Sequence, residues 1–172
     1  MALSLYDLTV PNYLQVLRGV DNVLQKGAVY AAEQGQDPDA FTSLRLHEDM
    51  LPFNFQVISV WHHSLGAIRG IKAGLFEPPP KLSQLNFEDL RNLVREAIEE
   101  LSAQSRDEID GLIDEPMVFK MGQTELPFST PNFVQSFSQP NFYFHAATIY
   151  AMLRMQGVPL GKMDYLGTLR TG

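Results

Sequence analysis

The 172-residue chain contains no cysteine. Without cysteine it can form no disulfide, offers no thiolate nucleophile and cannot build a sulfur-ligated zinc site. It also has no apolar run near the roughly 20 residues that span a bilayer, and its first residues lack the positive segment and apolar run of a secretion signal. We therefore expect a cytoplasmic protein with no membrane partner.

Positive charge is scarce as well. Thirteen Lys and Arg residues stand against 20 Asp and Glu residues, for a net charge of -7. Nucleic acids and anionic membranes bind cationic surfaces, so we expect no nucleic-acid partner. The sequence also lacks a glycine-rich phosphate loop, a serine elbow and a nucleotide motif.

What remains is the composition of an ordinary globular protein, with 45% apolar and 19% charged residues. A chain of this length suits one domain, which would bury roughly 70% of the surface that the unfolded chain exposes. We therefore expect a single domain over residues 1–172.

Helical periodicity dominates the sequence. A first helix is predicted from Pro11 to about Gly35, and a second over residues 44–74, which Pro52 should kink or start. A third follows the capping pair of Asn86 and Asp89 and runs to Leu101. Each has apolar residues at three- and four-residue steps, which indicates one face against a common core.

The connections are longer than simple turns. Three consecutive prolines in residues 75–87 predict an extended crossover, and a short helix is predicted over residues 105–111. Residues 117–128 predict a hairpin that turns at Gly122, before a fourth helix that Pro140 should bend. The predicted fold is all-α: an antiparallel four-helix bundle with long crossovers and a small hairpin between helices 3 and 4.

The fourth helix is unusual because residues 142–155 are apolar on nearly every side. Such a helix is expected to be buried. Asn141, His145 and Thr148 are spaced four and three residues apart, which places them on one stripe at ~100° per residue. We therefore look for the chemistry of the protein along this stripe.

Four segments resemble a known family: SLYDLTVPNYL, RLHEDMLPFNFQV, PNFYFHAATIYAMLR and GVPLGKMDYLG. The family is called domain of unknown function nineteen ninety-three, and the resemblance covers residues 4–167. That family is placed in the DinB-like (YfiT-like) superfamily of four-helix bundles, many of which are dimers. The superfamily includes metal-dependent thiol transferases and a maleylpyruvate isomerase. Their metal is typically held by one histidine of the second helix and a His-x-x-x-His pair on the last.

The chain departs from that metal pattern. Ile149 stands four residues after His145 and Asn141 four residues before it, so the pair of imidazoles that grips one ion is missing. We therefore expect no metal and no cofactor. A reduced site that combines His145 with His47 or His63 and a carboxylate stays open.

His145 is the leading candidate for catalysis, because an imidazole exchanges protons near neutral pH. Asp49, Gln56 and His63 follow one another at seven-residue steps on the predicted second helix. If Asp49 faces inward, it is expected to meet a cation, a hydroxyl or His145, since a buried charge needs a partner. We predict the pair with His145. The alternatives are a hydrogen-bonded core histidine and a surface aspartate.

The other candidates have a structural alternative each. Gln56, Asn141, His63, Thr148 and Tyr143 are predicted to bind substrate, although Tyr143 and Tyr150 suit packing equally well. His47 is either a second-helix ligand or a surface residue. His62 and His63 are adjacent and point ~100° apart, so at least one is expected at the surface. Gly161, Lys162 and Asp164 serve either a turn and a salt bridge or a ligand.

Three functions fit these observations. The first is a protein that binds a small, largely apolar organic molecule, with Asp49 and His145 as a metal-independent acid–base pair for an isomerase, cyclase or lyase. The second is a non-catalytic dimeric binding or stress protein. The third is a metal-dependent enzyme with the reduced site. A homodimer is expected in each case, because Phe142, Tyr143, Tyr150 and Met155 exceed what one bundle face can bury.

Overall fold

The structure, a computed structural model, describes residues 4–82 and 85–171. The chain is mostly helical with a small three-stranded sheet. The helices are α1 (Leu5–Leu8), α2 (Val10–Glu33), α3 (Phe53–Trp61), α4 (Ala67–Ala73), α5 (Phe87–Ser102), α6 (Arg106–Asp110), α7 (Thr130–Asn132), α8 (Gln139–Met155) and α9 (Lys162–Leu166). The strands are β1 (Leu75–Phe76), β2 (Pro116–Met121) and β3 (Thr124–Ser129). A 3₁₀ turn spans Pro38–Ser43, and two π-helical segments span His62–Gly66 and Phe133–Ser138.

The predicted second helix begins later than its sequence pattern suggested. Residues 44–52 are not helical, and Pro52 is the cap that precedes α3. Proline fixes its own φ and disfavours the helical region for the residue before it, so it starts the helix instead of kinking it. From α3 the chain passes through the first π-helical segment into α4, which ends at Gly74 with φ +70°.

The capping signals of the third helix are confirmed. The Asn86 side chain accepts from the backbone N–H of Asp89, and the Asp89 carboxylate accepts from the backbone N–H of Asn86. This reciprocal pair satisfies two donors that the first turn of α5 leaves free. The short helix predicted over residues 105–111 is α6.

The predicted hairpin is present but forms part of a larger sheet. Strands β2 and β3 pair antiparallel around Gly122, whose φ of +60° suits the turn. The two residues of β1 pair parallel with β2, Leu75 opposite Val118 and Phe76 opposite Phe119. No sequence pattern predicts β1, because a strand of two residues is too short to show periodicity.

The predicted bend of the fourth helix takes the form of a widened turn. The second π-helical segment ends at Ser138, and Pro140 occupies the first turn of α8. A proline inside a helix removes a donor and clashes with the carbonyl four residues back, and the wide turn before it accommodates both effects.

The expectation that this last helix is buried on every side is wrong. Phe142 and Ile149 are fully buried, whereas Phe144 is 57% exposed and Met155 65% exposed. Tyr143 is also exposed. One face of α8 therefore meets the core, and the opposite face carries large apolar side chains that nothing in the described chain covers.

The longest helices share one core. Helix α2 contacts α5 and α8, and α3 contacts the same two helices. The buried apolar side chains form a single cluster from Leu5 to Leu160. The helical class of the prediction is confirmed, and the antiparallel order of a four-helix bundle stays a prediction. Within the described part of the chain, no helix is long and apolar enough to cross a membrane.

The segment after α8 folds back onto α2. The Asp164 carboxylate accepts from the backbone N–H of Gly161 and pairs with Lys26 at 2.7 Å. Helix α9 lies so close to α2 that a Cβ at Gly19 would stand 2.1 Å from the carbonyl oxygen of Tyr165. Of the two alternatives for Gly161, Lys162 and Asp164, the structure therefore shows the turn and the salt bridge, and these involve Gly161 and Asp164.

We predict that Gly19→Ala destabilises the protein by ~1–3 kcal/mol, because the added methyl forces α9 away from α2. Helix propensity alone predicts the opposite sign, since alanine stabilises a helix interior relative to glycine. Urea unfolding would measure the change. Gly161→Ala is the control: its Cβ would meet nothing closer than 3.9 Å, so we expect a change within about 0.5 kcal/mol. An unchanged or raised stability for Gly19→Ala would contradict the close packing.

Candidate functional site

A hydrogen-bonded relay connects α3 to α8. The Gln56 side-chain N–H donates to the carbonyl of Leu51 at 2.9 Å, and its Oε1 lies 2.7 Å from Nδ1 of His145. Because an amide oxygen can only accept, Nδ1 of His145 carries the proton. The neutral ring then has its lone pair on Nε2, which makes no hydrogen bond within residues 4–82 and 85–171. The relay therefore fixes the tautomer of His145 and leaves one acceptor available.

His63 lies next to His145 in the same seam. The two ring centroids are 6.1 Å apart with planes inclined by 16°, and Nδ1 of His63 is buried with no partner among the described residues. Burial lowers the pKa of His63 to about 3, helped by the neighbouring His62 and His145. Burial alone lowers the pKa of His145 to about 4. Both rings are therefore neutral at pH 7.

Aromatic side chains surround the two histidines. Phe55 and Phe144 meet the His145 ring edge-on, at centroid distances of 5.9 and 5.2 Å. Phe76 and Phe137 lie 5.4 and 5.7 Å from the His63 ring. We call His63, His145 and these four phenylalanines the histidine–aromatic cluster. Its low polarity is the physical cause of the depressed pKa values.

The expectation that His62 or His63 lies at the surface is wrong, since each is only 8% exposed. The segment after α4 covers His62. Nε2 of His62 donates to the carbonyl of Glu77 at 2.7 Å, and the His62 ring stacks on the Phe76 ring with 4.3 Å between centroids. Burial lowers the pKa of His62, although the bond to Glu77 works in the opposite direction. The sequence could not show that β1 and its neighbours cover this face.

The two π-helical segments meet through a buried hydroxyl chain. Ser138, the last residue of the second segment, donates to the carbonyl of His63 in the first at 2.7 Å. Its oxygen lies 2.9 Å from the hydroxyl of Tyr13 on α2, which must donate because Ser138 has one hydrogen. Burial raises the pKa of Tyr13, so the phenol stays protonated. This chain ties α2 and the second π-helical segment to the backbone beside His63.

The predicted Asp49–His145 pair does not form. The Asp49 carboxylate is 81% exposed and lies 2.5 Å from Nδ1 of His47, itself 66% exposed. The reason is the late start of α3, which leaves residues 44–52 outside the helix and carries both side chains to the surface. The polar partner of His145 is Gln56, one of the residues predicted to orient a ligand.

Of the remaining candidates, Asn141 and Thr148 bond to their own helix. Asn141 donates to the carbonyl of Phe137 and Thr148 to that of Phe144, both at 2.7 Å. Back-bonding of this kind satisfies the side chain without a ligand. Tyr143 lies on the exposed face of α8, and burial of its hydroxyl raises its pKa while the charge of Arg170 opposes the rise. Tyr150 is half-buried and packs against Tyr165.

A cleft of about 300 Å³ opens next to the relay. It is lined by Leu51 and Pro52 before α3, by Asn54, Phe55 and Ile58 of α3, and by residues 79–82 of the proline-rich segment. Phe55 lines this cleft and also contacts the His145 ring. A mostly apolar lining with a few polar side chains is typical of a site for a small organic molecule.

Sequence reasoning missed Phe55, Phe76, Phe137, Ser138 and Tyr13. The phenylalanines read as ordinary core residues, because their contact with histidine depends on the sheet and on the π-helical segments. Pro140 was the one available signal for the second of these segments, since a proline within a helical pattern indicates local rearrangement. The seven-residue step from Gln56 to His63 correctly placed both side chains on the face that meets α8.

The chain resembles known proteins in both sequence and structure. The sequence profile of the family described as Domain of unknown function (DUF1993) matches residues 5–166. The chain belongs to this family. No curated protein matches the DUF1993 chain at a significant level.

A solved structure shares the fold of this chain. The DUF1993 chain is similar to the crystal structure of a DinB family member protein from Shewanella denitrificans, with a TM-score of 0.80 and 24% sequence identity. The match covers 98% of this chain and 94% of the other. The likeness establishes the DinB-like fold.

The metal site typical of the DinB-like superfamily does not fit these residues. Ile149 is fully buried where a second imidazole of the last helix would stand, and Asn141 is occupied by the carbonyl of Phe137. In the described ranges, no group of three His, Cys, Asp or Glu side chains is arranged to hold a metal ion. The reduced site with His47 fails on geometry too, because His47 pairs with Asp49 at the surface.

The depressed histidine pKa values predict a pH-dependent stability. In the unfolded chain, His63 and His145 take up protons below about pH 6.5. In the folded protein both rings are buried and take up protons only near their own pKa values of about 3 and 4. Stability is therefore full above pH 6.5 and is lost as the pH falls towards 4. Urea midpoints measured between pH 7 and 5 should decline, and more gently in His145→Gln.

His47→Gln is the matched control, because it makes the same change at an exposed histidine. We expect it to keep the wild-type decline. A midpoint that stays level for the wild type between pH 7 and 5 would show that the two buried rings charge as readily in the folded protein as in the unfolded chain.

Proposed function

We propose that the protein binds a small, largely apolar organic molecule that donates a hydrogen bond to Nε2 of His145. The observation that carries the proposal is the relay from Leu51 through Gln56 to Nδ1 of His145, which presents one oriented lone pair in an apolar setting. An acceptor held in a fixed tautomer recognises a donor without reorganising.

The surroundings support an apolar ligand. Phe55 lines the 300 Å³ cleft and also contacts His145, so one side chain separates the cleft from this ring. His63 adds a second polar group, because its buried Nδ1 has no partner among the described residues. A molecule with a flat ring and one hydroxyl or amide N–H matches this combination.

Proton transfer, of the isomerase, cyclase or lyase type, is the second candidate. It is favoured by the neutral state of His145 at pH 7, which leaves the lone pair free to act as a base. It is weakened by a pKa of about 4, far from the working pH, and by the absence of the Asp49 carboxylate, which would have stabilised the charged ring. Binding without chemistry is therefore the better-supported function.

We propose a symmetric homodimer as the working assembly. Of the four residues expected to form it, Phe142 is fully buried and Tyr150 half-buried, which leaves Tyr143 and Met155. Phe144, at 57% exposure, joins them on the uncovered face of α8. A large apolar helix face with no cover favours self-association. A second copy that used this face would also cover His145, the neighbour of Phe144.

The binding proposal predicts that 4-methylphenol binds and that 4-methylanisole, which lacks the donor, binds more weakly. Side-chain NMR of ¹⁵N-labelled protein should show the Nε2 signal of His145 shifting with 4-methylphenol. Gln56→Leu frees the tautomer of His145 and should weaken 4-methylphenol about tenfold while leaving 4-methylanisole unchanged.

Asn141→Ala is the control, because Asn141 lies one turn from His145 on the same helix yet bonds only to its own backbone. It should bind both probes like the wild type. Equal binding of the two probes would remove the acceptor role of His145, and binding of neither at millimolar concentration would remove the proposed site.

The dimer predicts that Phe144→Glu yields a monomer by light scattering at micromolar concentration, because a charge at the centre of the apolar face opposes its burial. Val29→Glu is the matched control, because it also replaces an exposed apolar side chain with glutamate but lies on α2, where Val29 is 51% exposed. A wild-type monomer mass, or an unchanged dimer in Phe144→Glu, would exclude α8 as the interface.

A further inference from the structure

A second cleft, of about 250 Å³, lies between the first turns of α2 and the segment that follows α9. Arg18 and Arg170 line it from opposite sides, together with Tyr6, Pro11 and Leu14. It is separate from the histidine–aromatic cluster, which lies in the seam of α3 and α8. In a chain with a net charge of -7, a cleft flanked by two guanidinium groups is electrostatically distinct.

Arg170 is held in place without being neutralised. Its Nε donates to Oε1 of Gln15 at 3.2 Å, and a terminal nitrogen donates to Oδ1 of Asn12 at 2.5 Å. Both acceptors are neutral amides, so they fix the direction of the guanidinium and leave its positive charge in full. In the described ranges, four of the eight arginines are instead oriented by carboxylates: Arg69, Arg91, Arg95 and Arg106.

The two amides are themselves fixed by the backbone. The Gln15 side chain donates to the carbonyl of Leu166 at 3.1 Å, and the Asn12 side chain to that of Leu8 at 2.8 Å. Each amide therefore uses its N–H on a carbonyl and its oxygen on Arg170, which defines its orientation. The network is preorganised, so Arg170 needs little reordering to bind a further group.

The charge in the cleft has no internal counterion in the described chain. Neither Arg18 nor Arg170 forms an ion pair with a carboxylate of residues 4–82 or 85–171. On α1 and α6, Asp7 pairs with Arg106, and Asp110 accepts from the backbone N–H of Tyr6. The two guanidinium groups of the cleft therefore keep their charges available for an anion.

Three further residues give the cleft apolar surface. Pro11 and Leu14 are half-buried, and Tyr6 contributes its ring, over which Arg106 lies at 4.5 Å. Gln15 and Thr168 complete the lining. A volume of 250 Å³ lies just under the range typical of drug-sized ligands, so the occupant is small. A lining with apolar surface and two cations suits a molecule with an apolar body and one anionic end.

We propose that this cleft is a binding site for a small organic anion, whose carboxylate or phosphate meets Arg170 and Arg18 and whose apolar body lies against Pro11, Leu14 and Tyr6. The guanidinium supplies paired donors that match either anion. This anion site does not depend on the ligand proposed for His145.

The test uses benzoate, phenyl phosphate and the neutral isostere benzamide as probes in calorimetric titrations of the full chain. At least one of the two anions should bind more tightly than benzamide, and its affinity should fall with added salt. Arg170→Gln removes the charge but keeps an amide at the cleft, and it should weaken the anion about tenfold or more. Arg18→Gln should weaken it less, because no hydrogen bond or ion pair within residues 4–82 and 85–171 orients the Arg18 side chain.

Arg45→Gln is the matched control, since it removes one positive charge from an exposed arginine outside the cleft. It should bind like the wild type. Equal weakening in Arg45→Gln would mean that only net charge matters and would overturn the site. So would equal binding of benzamide, binding of inorganic phosphate as tight as phenyl phosphate, or no binding of either anion at millimolar concentration. Circular dichroism of Arg170→Gln would separate loss of the site from loss of the fold.

Discussion

The bond from the Ser138 hydroxyl to the carbonyl of His63 determines how the two halves of the molecule meet. It joins two widened helical turns across the core, and Tyr13 supports it from α2. A buried hydroxyl that satisfies a carbonyl in this way tolerates little displacement, since an unpaired polar group in the core is costly. The positions of His63 and His145, and therefore the whole candidate site, depend on this junction.

Environment, more than residue type, decides what the histidines can do. Three of them lie within or beside apolar rings, and burial holds their pKa values below the ordinary range. A histidine usually changes charge near neutral pH, whereas His63 and His145, with pKa values of about 3 and 4, remain neutral throughout the physiological range. The cluster is therefore suited to hydrogen bonding and packing, and less suited to switching. The hydrogen bond from Nδ1 of His145 to Gln56 also determines which ring nitrogen holds the proton.

Much of the fold could be predicted from local signals, because caps, prolines and apolar periodicity act within a few residues. The capping box of α5 and the turn at Gly122 follow from such signals, whereas the sequence left open whether Pro52 kinks or starts its helix. The candidate site was harder to predict. Asp49 seemed to share a stripe with Gln56 only if the helix began before Pro52, and His62 was buried by a two-residue strand that has no sequence pattern. Contacts between distant segments decided both cases.

The three-stranded sheet has two outer edges, and both are poor templates for another strand. On one side β1 consists of two residues, too few to pair with a long partner. On the other, β3 contains Pro127, which has no N–H to donate, and Glu125, which carries charge along the same edge. Edges built in this way resist edge-to-edge pairing between molecules. The sheet can therefore cover His62 through Phe76 of β1 without presenting an open strand edge to other molecules.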